Sequence, residues 1–79
     1  MAQTGIGFYR KRKKLRQIDV ATAIGTTESR MSRIEVGQEI PTAGEVDKIV
    51  ALLEVPPSYL FSNHVLNEVA ERSRAEAAS

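Results

Sequence analysis

The sequence predicts an all-α domain, a compact bundle of five to six short helices. Apolar residues recur at helical spacing in segment after segment. No run alternates with period 2, and aromatic residues number only two Tyr and two Phe. Glycines, prolines and N-capping residues fall between the periodic segments, where helices start and stop.

The first helix is expected over about residues 4–14, with Thr4 as N-cap and Ile6, Tyr9 and the stem of Lys13 on one side. Gly5 and Gly7 weaken its start by about 1 kcal/mol each relative to Ala. The second helix, about 17–24, places Val20, Ala21 and Ile24 on one face, and Gly25 supplies a left-handed stop. The third, about 28–36, is capped by Thr27 and ends before Gly37. Thr42 and Glu45 have capping-box spacing after Pro41, so a fourth helix runs to about 53 and buries Val46, Ile49, Val50 and Leu53. Pro56-Pro57 breaks it. A short helix at about 57–61 carries Tyr59, Leu60 and Phe61. A last helix starts near Ser62 or Asn63, with Val65, Leu66 and Val69 on its apolar side. The segment ERSRAEAAS has nothing to bury and is expected to fray.

Seventy-nine residues make one small core with a thin stability margin, which a partner subunit would widen by mass action. Cysteine is absent, which removes disulfides and thiolate metal sites. No stretch of about 18 apolar residues is present, and the basic N-terminal run lacks an apolar stretch after it. A cytoplasmic location is expected. Net charge is +1 but unevenly spread. Arg10, Lys11, Arg12, Lys13, Lys14 and Arg16 lie in the first sixteen residues with no acid among them, whereas residues 17–61 are acidic on balance. A basic pole on a near-neutral body suits a polyanion; a solvated helix face would read the same way.

The stretch TTESRMSRIEVG, residues 26–37, carries the chemistry. At 100° per residue Met31 and Ile34 lie about 60° apart and form a core stripe. Glu28, Ser29, Ser32, Arg33 and Val36 cover roughly the opposite side. A short amphipathic helix and a Gly-containing turn precede it, which together make a helix-turn-helix unit. The residue types suit base reading. Arg offers two donors to guanine, a carboxylate accepts from cytosine, Ser and Thr serve bases or phosphates, and Val36 can meet a thymine methyl. Gln17 stands where a helix N-terminus favours a phosphate oxygen. A solvated polar face on a three-turn helix would explain the same residues.

The pattern LRQIDVATAIGTTESRMSRIEVGQEIP, continued by IVALLEV and SYLF, resembles the Cro/C1-type (XRE-type) helix-turn-helix family, which includes the lambdoid phage repressors. Leu15, Gln17, Val20, Ala21, Ile24, Gly25, Thr27, Met31, Ile34, Glu35, Gly37 and Pro41 match in register, and the resemblance covers about residues 6–61. It implies a lambda-repressor-like fold, with residues 1–61 as the DNA-binding domain; residues 62–79 are expected to form a C-terminal helix and tail that either serve dimerisation or fold back on the chain's own core. It implies that Thr27, Glu28, Ser29, Ser32 and Arg33 face bases, that Gln17, Gln38 and Arg30 grip phosphate, and that Arg10 and Glu35 form a buried salt bridge orienting the third helix. Arg16 stands where the family has Thr or Ser, so the second helix loses its side-chain cap and Arg16 becomes a further phosphate contact. Lys14 and Glu54 stand where glycines are common.

His64, the single histidine, cannot assemble a metal site alone, and Glu45, Asp47 and Glu54 look like a solvated helix side. No catalytic group, metal, cofactor, small-molecule ligand or membrane contact is expected. The expected function is transcription regulation by a homodimer on an inverted-repeat operator in double-stranded DNA, with RNA polymerase as a further contact. Tyr59, Leu60, Phe61, Val65, Leu66 and Val69 are the expected dimer residues. The alternative is an antitoxin-type interaction module that binds a partner protein and regulates its own operon; a long tail would favour it, and this tail is short.

Overall fold

The computed structural model describes residues 4–78, and among them there are six helices and no strand. They are α1 (Ile6–Arg12), α2 (Gln17–Ile24), α3 (Glu28–Glu35), α4 (Ala43–Leu53), α5 (Pro57–Leu60) and α6 (Asn63–Ala78).

The core is built from the helical stripes. Ile6 of α1, Val20, Ala21 and Ile24 of α2, Met31 and Ile34 of α3, and Val46, Ile49 and Leu53 of α4 are buried together with Leu60, Phe61 and Val69. α2 packs most closely on α3 and α4. Gly25 takes the left-handed conformation (φ 82°) that ends α2 and turns the chain into α3. Thr27 caps α3 by accepting the Arg30 N–H at 3.1 Å. Thr42 and Glu45 form the reciprocal box at the start of α4: Glu45 N–H donates to Thr42 Oγ1 at 3.1 Å, and Thr42 N–H donates to Glu45 Oε1 at 2.8 Å.

Several expectations need correction. Thr4 does not cap α1 in the ordinary way, because the N-cap position is Gly5. Its hydroxyl oxygen still accepts the N–H of Ile6, the first residue of α1, at 3.3 Å, and Thr4 also ties the chain to α3, its hydroxyl and N–H both donating to the Glu35 carbonyl at 2.8 and 3.2 Å. The last helix, expected to reach the middle 70s before fraying, is α6 and runs on to Ala78. Its second half is rich in Ala, Glu and Arg, which favour helix intrinsically, and Arg72 is paired to Glu68 one turn back at 3.0 Å. Ser79 lies outside the described residues.

Lys14 and Glu54 both occupy left-handed backbone at φ 59°. A side chain there crowds its own carbonyl, which glycine would avoid. At Glu54 part of this is offset by an ion pair with Lys13, so the turns after α1 and α4 are joined by charge. Lys14 is exposed and brings no comparable contact to the fold. Lys14→Gly is therefore expected to raise stability by roughly 0.5–1 kcal/mol, the strain relieved slightly exceeding the added chain entropy. A urea midpoint unchanged or lowered in the variant would refute this.

Candidate nucleic-acid interface

α3 presents two unlike sides. Met31 and Ile34 are sealed against the core. Glu28, Ser29 and Arg33 are exposed, as is the capping residue Thr27, while Ser32 and Val36 are half-buried at the margin. The Thr27 hydroxyl oxygen is used in the cap, but its hydrogen can still be donated outward. The outer face thus offers hydroxyls, a carboxylate and a guanidinium along about two turns.

α2 and α1 set the position of this face. Gln17 is the first residue of α2, where the first turn's N–H groups point outward. At that helix start Arg16, expected as a further phosphate contact, keeps its side chain 78% exposed while pairing within the same turn. The Arg16 guanidinium is paired to Asp19 at 3.0 and 3.2 Å, and Asp19 also accepts the Arg16 N–H at 2.8 Å. Asp19 therefore supplies the cap that Arg16 cannot. The hydrogen bonds from Arg16 hold the Asp19 carboxyl below its ordinary value.

Arg10 and Glu35 meet as a two-pronged pair between α1 and the last turn of α3. Arg10 Nε and Nη2 donate to the two Glu35 oxygens at 3.1 and 2.9 Å, and Nη1 donates to the Leu15 carbonyl at 2.9 Å. Their side chains are only 12% and 11% exposed. All three guanidinium nitrogens are used, and the pair is backed by the two bonds from Thr4 to the Glu35 carbonyl. A planar fork fitted to a carboxylate in this way fixes direction as well as distance.

Arg30, expected to grip phosphate, has its side chain 23% exposed. Its guanidinium is held by both Glu39 and Glu45, with its Nη1 3.5 Å from the Thr26 hydroxyl. The hydrogen bond to Glu45 raises the Arg30 pKa above its ordinary value. Partial burial alone would push the Glu45 carboxyl up, but the bonds from Arg30 and from Thr42 prevail and hold it low. Glu45 is thus no member of a solvated acidic side: it locks α3 to the start of α4. Glu39 accepts from Arg33 Nε at 2.8 Å as well as from Arg30, and these bonds lower its pKa. Gln38 is exposed, and its N–H closes the Gly37 turn onto the Arg33 carbonyl at 2.8 Å.

Sequence reasoning missed this four-member network of Arg30, Arg33, Glu39 and Glu45. Helix-face arithmetic stops at Gly37, so nothing in the α3 period could bring Glu39 back alongside it. The one available signal was charge: two arginines on α3 followed by two glutamates across a turn.

The residues expected at a dimer surface divide. Leu60, Phe61 and Val69 are 1%, 3% and 7% exposed, filled into the core of the single chain, so they cannot meet a second copy without unpacking it. Val65 and Leu66 are half-buried against that core, and Tyr59 is 58% exposed. Phe8, also exposed, stands edge-on to Tyr9 with ring centres 5.0 Å apart.

No helix among the described residues is long and apolar enough to cross a membrane. No curated protein and no solved structure matches the chain. A helix-turn-helix family model, of the Cro/C1 (XRE) type, matches residues 6–60, a span that begins at the first residue of α1 and ends at the last residue of α5. With most of its length so matched, and with α2, the Gly25 turn and α3 set as that unit requires, the chain belongs to the Cro/C1-type helix-turn-helix family of DNA-binding regulators.

Proposed function

We propose that the protein regulates transcription as a homodimer, two copies of α3 entering successive major grooves of an inverted-repeat operator. The observation that carries this reading is the two-sidedness of α3. Its apolar back is fully buried, and its front carries hydrogen-bonding groups that the fold uses only in part, the Thr27 oxygen in the cap and Arg33 Nε on Glu39. Thr27, Glu28, Ser29, Ser32 and Arg33 are the base-facing set. Glu28 repels phosphates and so selects for an exocyclic amine of cytosine or adenine in front of it. Gln17 and Gln38 flank the face and anchor the sugar–phosphate backbone.

One helix covers too few base pairs for useful selectivity among genomic competitors, which is why symmetry is needed. Half-sites about 34 Å apart match two reading helices related by a twofold axis. Of the residues expected at the dimer surface, the exposed Tyr59 ring and the half-buried Val65 and Leu66 remain open to a second copy. Bound near a promoter in the cytoplasm, such a dimer blocks RNA polymerase or touches it.

Selection of bound sequences from a random duplex pool tests the reading. The enriched sequences should be inverted repeats whose halves lie about one helical turn apart. Arg33→Ala should then relax preference at one base pair per half-site by roughly 1–3 kcal/mol, while Gln17→Ala should weaken binding to all sequences alike. An unenriched pool at low salt would reject the assignment.

A further inference from the structure

We propose that Glu39 is a specificity-determining residue, a positioning group that holds Arg33 by its Nε and leaves the two Nη groups free to meet a base. The inference rests on α3 being the DNA-reading helix, and it adds a residue to that site from outside the helix.

The turn after α3 makes the contact. Gly37 has φ 83°, and the bond from Gln38 N–H to the Arg33 carbonyl folds the chain back along the helix. Glu39 thereby returns to the level of Arg33 and Arg30. One of its oxygens takes the Arg33 Nε–H at 2.8 Å; the other takes the Arg30 Nε–H. Arg30 is anchored a second time through Nη1 to Glu45, at the start of α4. The brace is therefore fixed at its far end: Glu45 holds Arg30, Arg30 and the turn hold Glu39, and Glu39 holds Arg33.

The point of attachment decides what the brace can do. A carboxylate that gripped both Nη groups would block them. Binding through Nε leaves the terminal fork of Arg33, which is the part that matches the N7 and O6 acceptors of guanine. Arg33 is also the outermost member, with its side chain 48% exposed against 23% for Arg30. A long side chain this exposed otherwise samples many rotamers, and ordering it on DNA costs free energy. Fixing it beforehand reduces that cost only when a base of the right pattern stands in the fixed position. The same fork could also grip a phosphate, but every sequence presents one, so that contact carries no discrimination. The negative charge of Glu39 also opposes close approach to phosphates. Both effects favour discrimination over affinity.

The test measures Glu39→Ala, Arg33→Ala and the double variant in the full chain, against the selected duplex, its single-base variants and a scrambled duplex. The expected result for Glu39→Ala is a loss of roughly three- to tenfold in preference at the base pair that Arg33→Ala relaxes, with preferences elsewhere unchanged. Affinity for the scrambled duplex should stay equal or rise. In the Arg33→Ala background, removing Glu39 should change no base preference. Glu39→Gln should fall between, since its amide oxygen still accepts one bond but carries no charge; this variant also serves if Glu39→Ala melts before measurement. The proposal is overturned if Glu39→Ala keeps the full preference at that base pair, or if it alters preference equally with Arg33 absent. Failure of the underlying reading looks different: the wild-type protein itself would then select no sequence.

Discussion

Glu35→Ala is expected to lower stability by about 3–5 kcal/mol, because it strands the Arg10 guanidinium in a site only 12% exposed. A chain of 79 residues has roughly 4–12 kcal/mol to lose at the usual margin per residue, so much of the population should be unfolded at 37 °C. The Leu15 carbonyl would remain as one partner for Arg10 but cannot neutralise it. Replacing both members, as in Arg10→Met with Glu35→Leu, should recover most of the loss, since two apolar side chains bring no charge into the core. The double-mutant cycle from urea melts measures the coupling. Near-additive single losses would mean that the pair is solvated and adds little. The rescued double variant carries the functional lesson. It should fold yet bind the selected duplex less tightly, because the planar fork that sets the angle between α1 and the end of α3 is gone. If it binds with full affinity, core packing alone orients α3.

How much of this was legible beforehand can be judged from particular residues. The end of α2 and the starts of α3 and α4 fall within a residue of the positions expected, because each boundary has local chemistry: Gly25 stops α2, Thr27 caps α3 and Thr42 with Glu45 boxes α4. The apolar stripes were equally plain, since Met31 and Ile34 can only be buried together. What could not be read was whatever depends on two segments meeting in space. Leu60, Phe61 and Val69 look the same in sequence whether they close the chain's own core or meet a second copy, and the outcome depends on where α5 and α6 fold back. The carboxylates that pair with Arg16 and Arg30 were not read either: Asp19 in the same turn of helix, and Glu39 and Glu45 across a loop. The outer face of α3 was read by elimination, as the side that the core does not use. Its brace was not, because Glu39 belongs to no periodic pattern.

The glycines of α1 show the same division in its sharpest form, and they carry the second large prediction. Read as helix-interior residues, Gly5 and Gly7 are flaws that alanine should improve, although Gly5 proves to be the N-cap, where glycine outranks alanine. The packing reverses that reading. A Cβ at Gly5 would stand 2.2 Å from the Tyr59 carbonyl oxygen, a backbone atom that cannot swing aside. The Gly5 N–H also donates to the Leu60 carbonyl at 2.9 Å, so this is the point where α1 and α5 touch backbone to backbone. Gly5→Ala should therefore cost roughly 2–4 kcal/mol, the sum of overpacking and a loosened hydrogen bond. At Gly7 the added Cβ would meet Glu35 Oε1 at 2.8 Å, the oxygen that Arg10 Nη2 holds. A side chain can yield where a backbone cannot, so Gly7→Ala should cost less than Gly5→Ala. Parallel thermal melts of the two variants decide the matter. If Gly5→Ala proves neutral or stabilising, α1 does not approach α5 this closely. The anchor that holds Thr4, Arg10 and Glu35 behind the outer face of α3 would then have to be sought elsewhere.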